Sequence, residues 1–374
     1  MKYYIIAGEA SGDLHGGNFI RELVKKDPDA RIRAWGGEKM EAAGAELAKH
    51  YRDLAFMGFI EVVLNIRTIL KNIAFCKKDI EQFAPDVVVF IDYPGFNMRI
   101  AAWAKKRNLK TVYYISPQIW AWKQSRVHAI KRTIDHMFVI LPFEQEFYAQ
   151  FDYPVTFVGH PLLDEVERYE EGRAALSEDV RSVVKSGRPV IALLPGSRKQ
   201  EINTLLPLML KAVDSLQGYK IVIACAPSQD PEIYENRVQN RDITLVAGKT
   251  YELLSQSTAA LVTSGTATLE TALFNVPQVV CYKASTISYH IAKRLVKVNY
   301  ISIVNLVMNR ESVVELIQNR CRPDVIQNEL HKILPEGEKR ARVLEDYRIL
   351  REKLGGGGAS STIAGALLKT LQND

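Results

Sequence analysis

The sequence predicts an α/β protein of two domains, each built on a mostly parallel sheet. Two observations carry this. Short β-branched or aromatic runs alternate with longer amphipathic segments along the chain, the pattern of strand–helix–strand units. The alternation breaks at a charged, strand-poor stretch over 163–188 and then restarts. A chain of 374 residues also exceeds the length that one core usually serves, about 250–300 residues.

In the first half, strands are expected at 3–7, 32–35, 87–91, 111–115, 137–141 and 156–158. Helical periodicity is clearest over 19–25, 61–83 and 100–107. The run Val87-Val88-Val89-Phe90-Ile91 has no polar residue, as befits a strand covered on both faces. In the second half, strands are expected at 190–194, 221–224, 243–246, 260–263 and 279–282, with helices at 202–216, 251–255 and 268–274. A charged helix over 338–353 meets the run Gly355-Gly356-Gly357-Gly358, and an apolar-faced helix follows over 362–371. The glycines read as a helix stop followed by a Ser N-cap. A domain boundary is therefore expected within 163–188.

Composition narrows the function classes. The balance of 49 Lys+Arg against 43 Asp+Glu gives +6, a mild excess that suits phosphates or an anionic membrane surface. No nucleic-acid partner is expected. Cys76, Cys225, Cys281 and Cys321 lack ligand spacing, so neither zinc nor a disulfide framework is expected. No resident cofactor is expected either. Strand-like residues begin at Tyr3, which leaves no room for a signal peptide. No apolar run approaches the ~20 residues of a membrane-spanning helix.

Four loops at strand ends could carry chemistry. Pro195-Gly196-Ser197-Arg198-Lys199 follows a buried strand and opens a helix, which directs backbone N–H groups, a positive helix end and a guanidinium to one point. This suits a diphosphate; an ordinary turn with solvated Arg198 and Lys199 is the alternative. Ser264-Gly265-Thr266-Ala267-Thr268-Leu269-Glu270 has the same context. Its Ser264, Gly265 and Thr266 can bring donors to phosphates and Glu270 can accept from ribose hydroxyls, unless Thr266 is only an N-cap and Glu270 only solvated. Gly8-Glu9-Ala10-Ser11-Gly12-Asp13-Leu14-His15 is not a GxGxxG loop. Its acids suit sugar hydroxyls better than a pyrophosphate, with Asp13 as a helix cap the plainer reading. Asp92, after strand 87–91, would project from the sheet's C-terminal edge, where it can serve as a general base or merely close an Asx-turn in Asp92-Tyr93-Pro94-Gly95.

Two apolar features remain. Trp120 and Trp122 bracket Ala121 after strand 111–115; they can stack on a sugar face or simply be buried. The stretch 56–71 is dense in large apolar residues. An interior helix explains it, and so does an interfacial patch for acyl chains with Arg67, Lys71, Lys77 and Lys78 at its rim.

With these motifs in order, the chain resembles the lipid-A-disaccharide synthase family of Gram-negative bacteria. The resemblance runs nearly end to end. It is carried by Gly8-Glu9-Ala10-Ser11-Gly12-Asp13, Asp92-Tyr93-Pro94-Gly95-Phe96-Asn97 and Ser116-Pro117-Gln118-Ile119-Trp120-Ala121-Trp122. Leu141-Pro142-Phe143-Glu144, Gly159-His160-Pro161, Leu194-Pro195-Gly196-Ser197-Arg198, the Ser264 to Glu270 motif and the stretch 305–318 continue it. The departures, His15-Gly16-Gly17 and the glycine run, do not touch the proposed nucleotide loops.

The resemblance implies a GT-B glycosyltransferase of two Rossmann-like domains, 1–165 joined by the C-terminal helices 345–374 and 166–344, with parallel sheets facing across a cleft. It implies transfer of 2,3-diacylglucosamine from UDP-2,3-diacylglucosamine to 2,3-diacylglucosamine 1-phosphate, with inversion, without a metal, and with release of UDP. The catalytic carboxylate is expected to be Asp92, with Glu9 and Asp13 as alternatives. UDP is expected at Ser197, Arg198, Ser264, Gly265, Thr266, Thr268 and Glu270. Sugar or acceptor contacts are expected from Ser11, Gly12, Asn97, Trp120, Asn305 and Gln318, and acyl or membrane contacts from Phe59, Val62, Val63, Ile66, Ile69 and Leu70. The expected location is cytoplasmic, peripheral to the inner membrane, with a homodimer left open. The alternatives are a UDP-N-acetylglucosamine 2-epimerase and a non-catalytic, membrane-peripheral nucleotide binder.

Overall fold

A computed structural model of the chain describes residues 1–54, 66–172, 175–238, 241–284 and 298–373. The chain forms two compact units, Met1–Asp164 with Leu354–Asp374, and Glu165–Lys353.

Among the described residues of the first unit, seven strands form one parallel sheet: β1 (Lys2–Ala7), β2 (Arg31–Gly36), β3 (Glu46–His50), β4 (Val87–Ile91), β5 (Lys110–Tyr114), β6 (His136–Val139) and β7 (Thr156–Phe157). Their order is β3-β2-β1-β4-β5-β6-β7. The connecting helices are α1 (Ala10–Lys26), α2 (Glu38–Ala42), α3 (Ile66–Phe83), α4 (Pro94–Lys106), α5 (Ile119–Trp122), α6 (Val127–Thr133) and α7 (Phe143–Ala149). The boundary after Asp164 falls inside α8 (Pro161–Glu171). Strand β4 is wholly apolar and buried at every residue, and β1 is buried from Tyr3 to Ala7. The strand order reverses between β1 and β4, so this sheet's topological switch point lies beyond Ala7 and Ile91.

The second unit repeats the design. Strands β8 (Val190–Leu194), β9 (Lys220–Cys225), β10 (Ile243–Ala247), β11 (Ser257–Thr263), β12 (Gln278–Tyr282) and β13 (Val314–Ile317) are parallel in the order β10-β9-β8-β11-β12-β13. Its described helices are α9 (Glu178–Lys185), α10 (Lys199–Val213), α11 (Glu232–Val238), α12 (Thr250–Leu254), α13 (Thr266–Leu273), α14 (Ile303–Met308), α15 (Pro323–His331) and α16 (Arg340–Lys353). Here the switch point lies between β8 and β11.

The last helix, α17 (Ala359–Asn373), packs Ile363, Ala364 and Leu367 into the first unit's core with Phe19, Ile20 and Leu23 of α1. Each such side chain removed from water contributes about 1.5–3 kcal/mol for an aliphatic residue of this size. The helix start differs from expectation. The Asp164 carboxylate, not a serine, accepts the N–H groups of Gly358, Ala359 and Ser360 at 2.7, 3.0 and 2.9 Å. The expected return at 345 also differs. Residues 340–353 stay with the second unit, where Tyr347 accepts from Gln278 at 3.1 Å and Arg351 donates to the Leu273 carbonyl at 3.0 Å.

Two strands escape the sequence pattern. Edge strand β3 reads Glu-Leu-Ala-Lys-His, too polar for a buried-strand signal. Edge strand β13 has four residues, among them the carboxylate Glu315.

Candidate active site

At the first switch point, β1 leads into Gly8 and Glu9 and β4 leads into Asp92 and Tyr93. Both Asp92 and Tyr93 are left-handed, with φ of +45° and +47°. For non-glycine residues such backbone costs about 1–3 kcal/mol each and tends to persist where a site requires it. The conformation is locked from above by the Tyr93 ring, which occupies the space that a Cβ on Gly8 would need and stacks on Phe96 at 5.8 Å. Burial first, and then the nearby Glu9 carboxylate, push the Asp92 carboxyl up to about 6. A carboxylate poised there accepts a proton near neutral pH better than an ordinary one.

Strained backbone marks strand ends more widely. Of the non-glycine residues with positive φ among the described residues, Ala84, Asn108, Asp152, Asn275 and Asn309 follow helices, where a left-handed residue is a common stop. Asp92, Tyr93, Ile115 and Gln318 instead follow strands. Ile115 is β-branched and carries φ +66°. Beyond it, Trp122 is exposed, with the Arg126 guanidinium 5.0 Å from its ring centre.

At the second switch point two helices begin side by side. Strand β8 ends at Pro195 and Gly196, and Gly196 takes φ +106° with the Glu201 carboxylate packed where its Cβ would stand. Glu201 accepts the Arg198 N–H at 3.3 Å, which fixes the start of α10. Ser197 and Arg198 are exposed, and the guanidinium lies 3.5 Å from Glu201. Strand β11 pairs with β8 and ends in Ser264, Gly265 and Thr266. Gly265 and Thr266 are exposed at the start of α13, while Ser264 donates to the Ile301 carbonyl at 3.0 Å. One turn on, Glu270 is half-buried and accepts from the Tyr251 O–H at 3.1 Å. Burial raises its carboxyl above the ordinary range, with Glu165 adding to the effect. Two helix N-termini after neighbouring parallel strands, with Arg198 capping one of them, give the kind of positive backbone ends that suit an anion.

The lipid-A-disaccharide synthetase family profile matches residues 3–363. A lipid-A-disaccharide synthase from Syntrophus aciditrophicus (strain SB) is 41% identical over 372 residues, covering 96% of this chain and 95% of its own. The chain belongs to the lipid-A-disaccharide synthetase family. It is a glycosyltransferase of the two-Rossmann-domain, GT-B type. Solved structures share the fold at low identity. A putative UDP-N-acetylglucosamine 2-epimerase from Listeria monocytogenes is 12% identical, with TM-score 0.71 over 100% of this chain and 97% of its own. The glycotransferase of kitacinnamycin is 14% identical, with TM-score 0.68 over 99% of each chain.

In this family member, several residues expected at the site have their polar groups engaged within the fold. Asp13 is buried and accepts the N–H groups of Gly37, Met40 and Lys39 at 2.7, 3.1 and 3.2 Å, so it caps α2. Gly12 is buried in α1, where it lets the helix lie on Ala7; Ser11 is exposed on the first turn. Asn97 is fully buried, with its amide spent on backbone carbonyls. Trp120 is buried edge-on to Phe143 and donates to Glu144 at 3.2 Å. Burial pushes the Glu144 carboxyl up to about 7, against the pull of the Leu141 N–H, the Trp120 indole and the Ile140 N–H.

Thr268 is fully buried and donates its hydroxyl to the Gly265 carbonyl at 2.8 Å. Asn305 is fully buried; it accepts from Ser312 and Val313 and donates to Val313 and Glu315. Gln318 clamps both backbone groups of Ala284, each at 3.2 Å.

Of the apolar patch, Phe59, Val62, Val63 and the side chain of Ile66 lie outside the described residues. Ile69 is half-buried, and Leu70 and Phe75 of α3 are exposed. No helix among the described residues is long and apolar enough to cross a membrane. Sequence reasoning gave no role to Tyr93, Tyr113, Ile115 or Tyr251: Tyr93 and Ile115 stand out by their positive φ, which single-sequence patterns do not encode, and Tyr113 and Tyr251 by partners distant in the chain.

Proposed function

We propose that the chain transfers 2,3-diacylglucosamine from UDP-2,3-diacylglucosamine to the 6-hydroxyl of 2,3-diacylglucosamine 1-phosphate. The β-1,6-linked disaccharide 1-phosphate and UDP are the products. The single observation that carries this reading is the family match over residues 3–363, and the two switch points suit it. One presents a carboxylate raised to about 6 on a strained turn; the other presents two helix N-termini and Arg198.

In the proposed step, Asp92 takes the proton of the acceptor 6-hydroxyl as its oxygen bonds to the donor anomeric carbon. The bond from that carbon to the UDP β-phosphate oxygen breaks, its electron pair leaves with UDP, and the configuration inverts. The growing charge on UDP meets Arg198 and the N–H groups that open α10 and α13. Removing one such preorganised contact typically lowers the rate 10²–10³-fold, or about 2.7–4 kcal/mol of barrier. Glu270 accepts from the ribose hydroxyls. The transfer needs no metal ion, and the acyl chains meet Ile69 and Leu70 at the cytoplasmic face of the inner membrane.

A mass-spectrometric product assay with purified chain and both lipid substrates, with and without chelator, tests this. The disaccharide phosphate and UDP should appear in both conditions. Epimerisation of the UDP-sugar alone, with no disaccharide, would replace this reading by the epimerase one.

A further inference from the structure

Two buried donors converge on the main-chain carbonyl of Asp92. The Asn97 amide donates to it at 2.8 Å, and the Tyr113 phenol donates to it as well. Asn97 also reaches the carbonyls of Ile6 and Ile91, each at 3.4 Å, so it sits between the ends of β1 and β4. Both side chains are fully buried, one at the start of α4 and the other inside β5. The Asp92 N–H keeps its ladder bond to the Tyr114 carbonyl at 3.2 Å.

A carbonyl oxygen has two lone pairs, and here both face a buried donor. The peptide joining Asp92 to Tyr93 is therefore held from below by two side chains and from above by the Tyr93 ring over Gly8. Glycine at 92 and 93 would adopt the same left-handed turn without strain. This chain instead keeps a carboxylate at the turn and devotes two interior polar groups to holding it. We infer that Asn97 and Tyr113 are positioning residues, which set the direction of the Asp92 Cα–Cβ bond and so present its carboxylate at the sheet edge for proton abstraction.

The inference rests on Asp92 being the base, and the experiment separates the two. Steady-state kinetics with both lipid substrates are measured from acid to neutral pH for wild type, Asp92→Asn, Tyr113→Phe and Asn97→Ala, with UDP binding by calorimetry as a check on the second unit. Tyr113→Phe deletes one donor without changing shape. It should lower kcat about 10–100-fold, the scale of a small misplacement of a reacting group, with both KM values within about twofold of wild type. The acid-side midpoint of kcat should move to lower pH, because a freed turn lets water reach the carboxylate. Asn97→Ala should shift kcat and the midpoint in the same directions, and if it does not fold, Tyr113→Phe decides alone. An inactive Asp92→Asn beside a Tyr113→Phe with unchanged kcat and midpoint overturns the positioning role and spares the base. Wild-type turnover in Asp92→Asn removes the base assignment, and this inference with it.

Discussion

Glu9 and Asp92 leave adjacent parallel strands at the same sheet edge, because Ala7 pairs with Ile91. Glu9 is the second cause, after burial, of the raised Asp92 carboxyl. A base must be ionised to work, so kcat/KM should rise with pH through about 6 and level off above it. Glu9→Gln removes a like charge and should shift that midpoint to lower pH. A pH–rate profile of the two proteins checks this; an unmoved midpoint would separate Glu9 from the titration.

The same shift makes a stability prediction of opposite sense to activity. The folded Asp92 pKa of about 6 lies above its unfolded value near 3.8. Its protonated form thus stabilises the fold fully below pH 3.8, and that contribution is lost as pH rises through 6. At pH 7.5 the buried charge is a net burden, of the order of 1–3 kcal/mol. Asp92→Asn should therefore raise the urea midpoint at pH 7.5 and leave it nearly unchanged at pH 3.5, while turnover falls. A variant destabilised at pH 7.5 would contradict the assigned sign.

Arg198 has a side chain 71% exposed, with Glu201 3.5 Å away. An ion pair so open to water contributes little to folding, so Arg198→Ala should leave the unfolding midpoint within experimental scatter. Its loss should appear in catalysis instead, as a drop of roughly 10²–10³ in kcat, with weaker UDP binding by calorimetry. Arg198→Lys should recover only part of this, because an ammonium cannot fork two phosphate oxygens. Full activity in Arg198→Ala would leave the leaving group to the helix ends alone.

The apolar strands were legible because burial on both faces writes itself as an unbroken hydrophobic run, as in β4 and β8. The loops after them were legible for a related reason: small residues, Arg198 or Asp92 at a strand end stand out against that run. Side-chain fate was not. Asn97, Thr268 and Asn305 look like ligand-binding residues in one dimension, yet each satisfies backbone groups that the fold turns inward. Whether a polar group faces solvent or a buried carbonyl depends on partners many residues away, which spacing does not encode. The left-handed turn at Asp92 and Tyr93 was hidden likewise, since aspartate visits that region only occasionally and tyrosine rarely.

Asp13 tests that distinction most directly, since it stood with Asp92 and Glu9 as a carboxylate at the first switch point. Its oxygens accept three N–H groups across the start of α2, at 2.7 Å from Gly37, 3.1 Å from Met40 and 3.2 Å from Lys39. Deleting such a cap leaves donors unpaired in the interior and should cost about 2 kcal/mol. Asp13→Ala should accordingly unfold at lower urea, while kcat per folded molecule, counted by active-site titration, stays within about threefold of wild type. Asp13→Asn keeps one acceptor oxygen and should fall between the two in stability. If Asp13→Ala instead loses turnover in step with Asp92→Asn while its unfolding curve is unmoved, the carboxylate faces chemistry and not the backbone of α2.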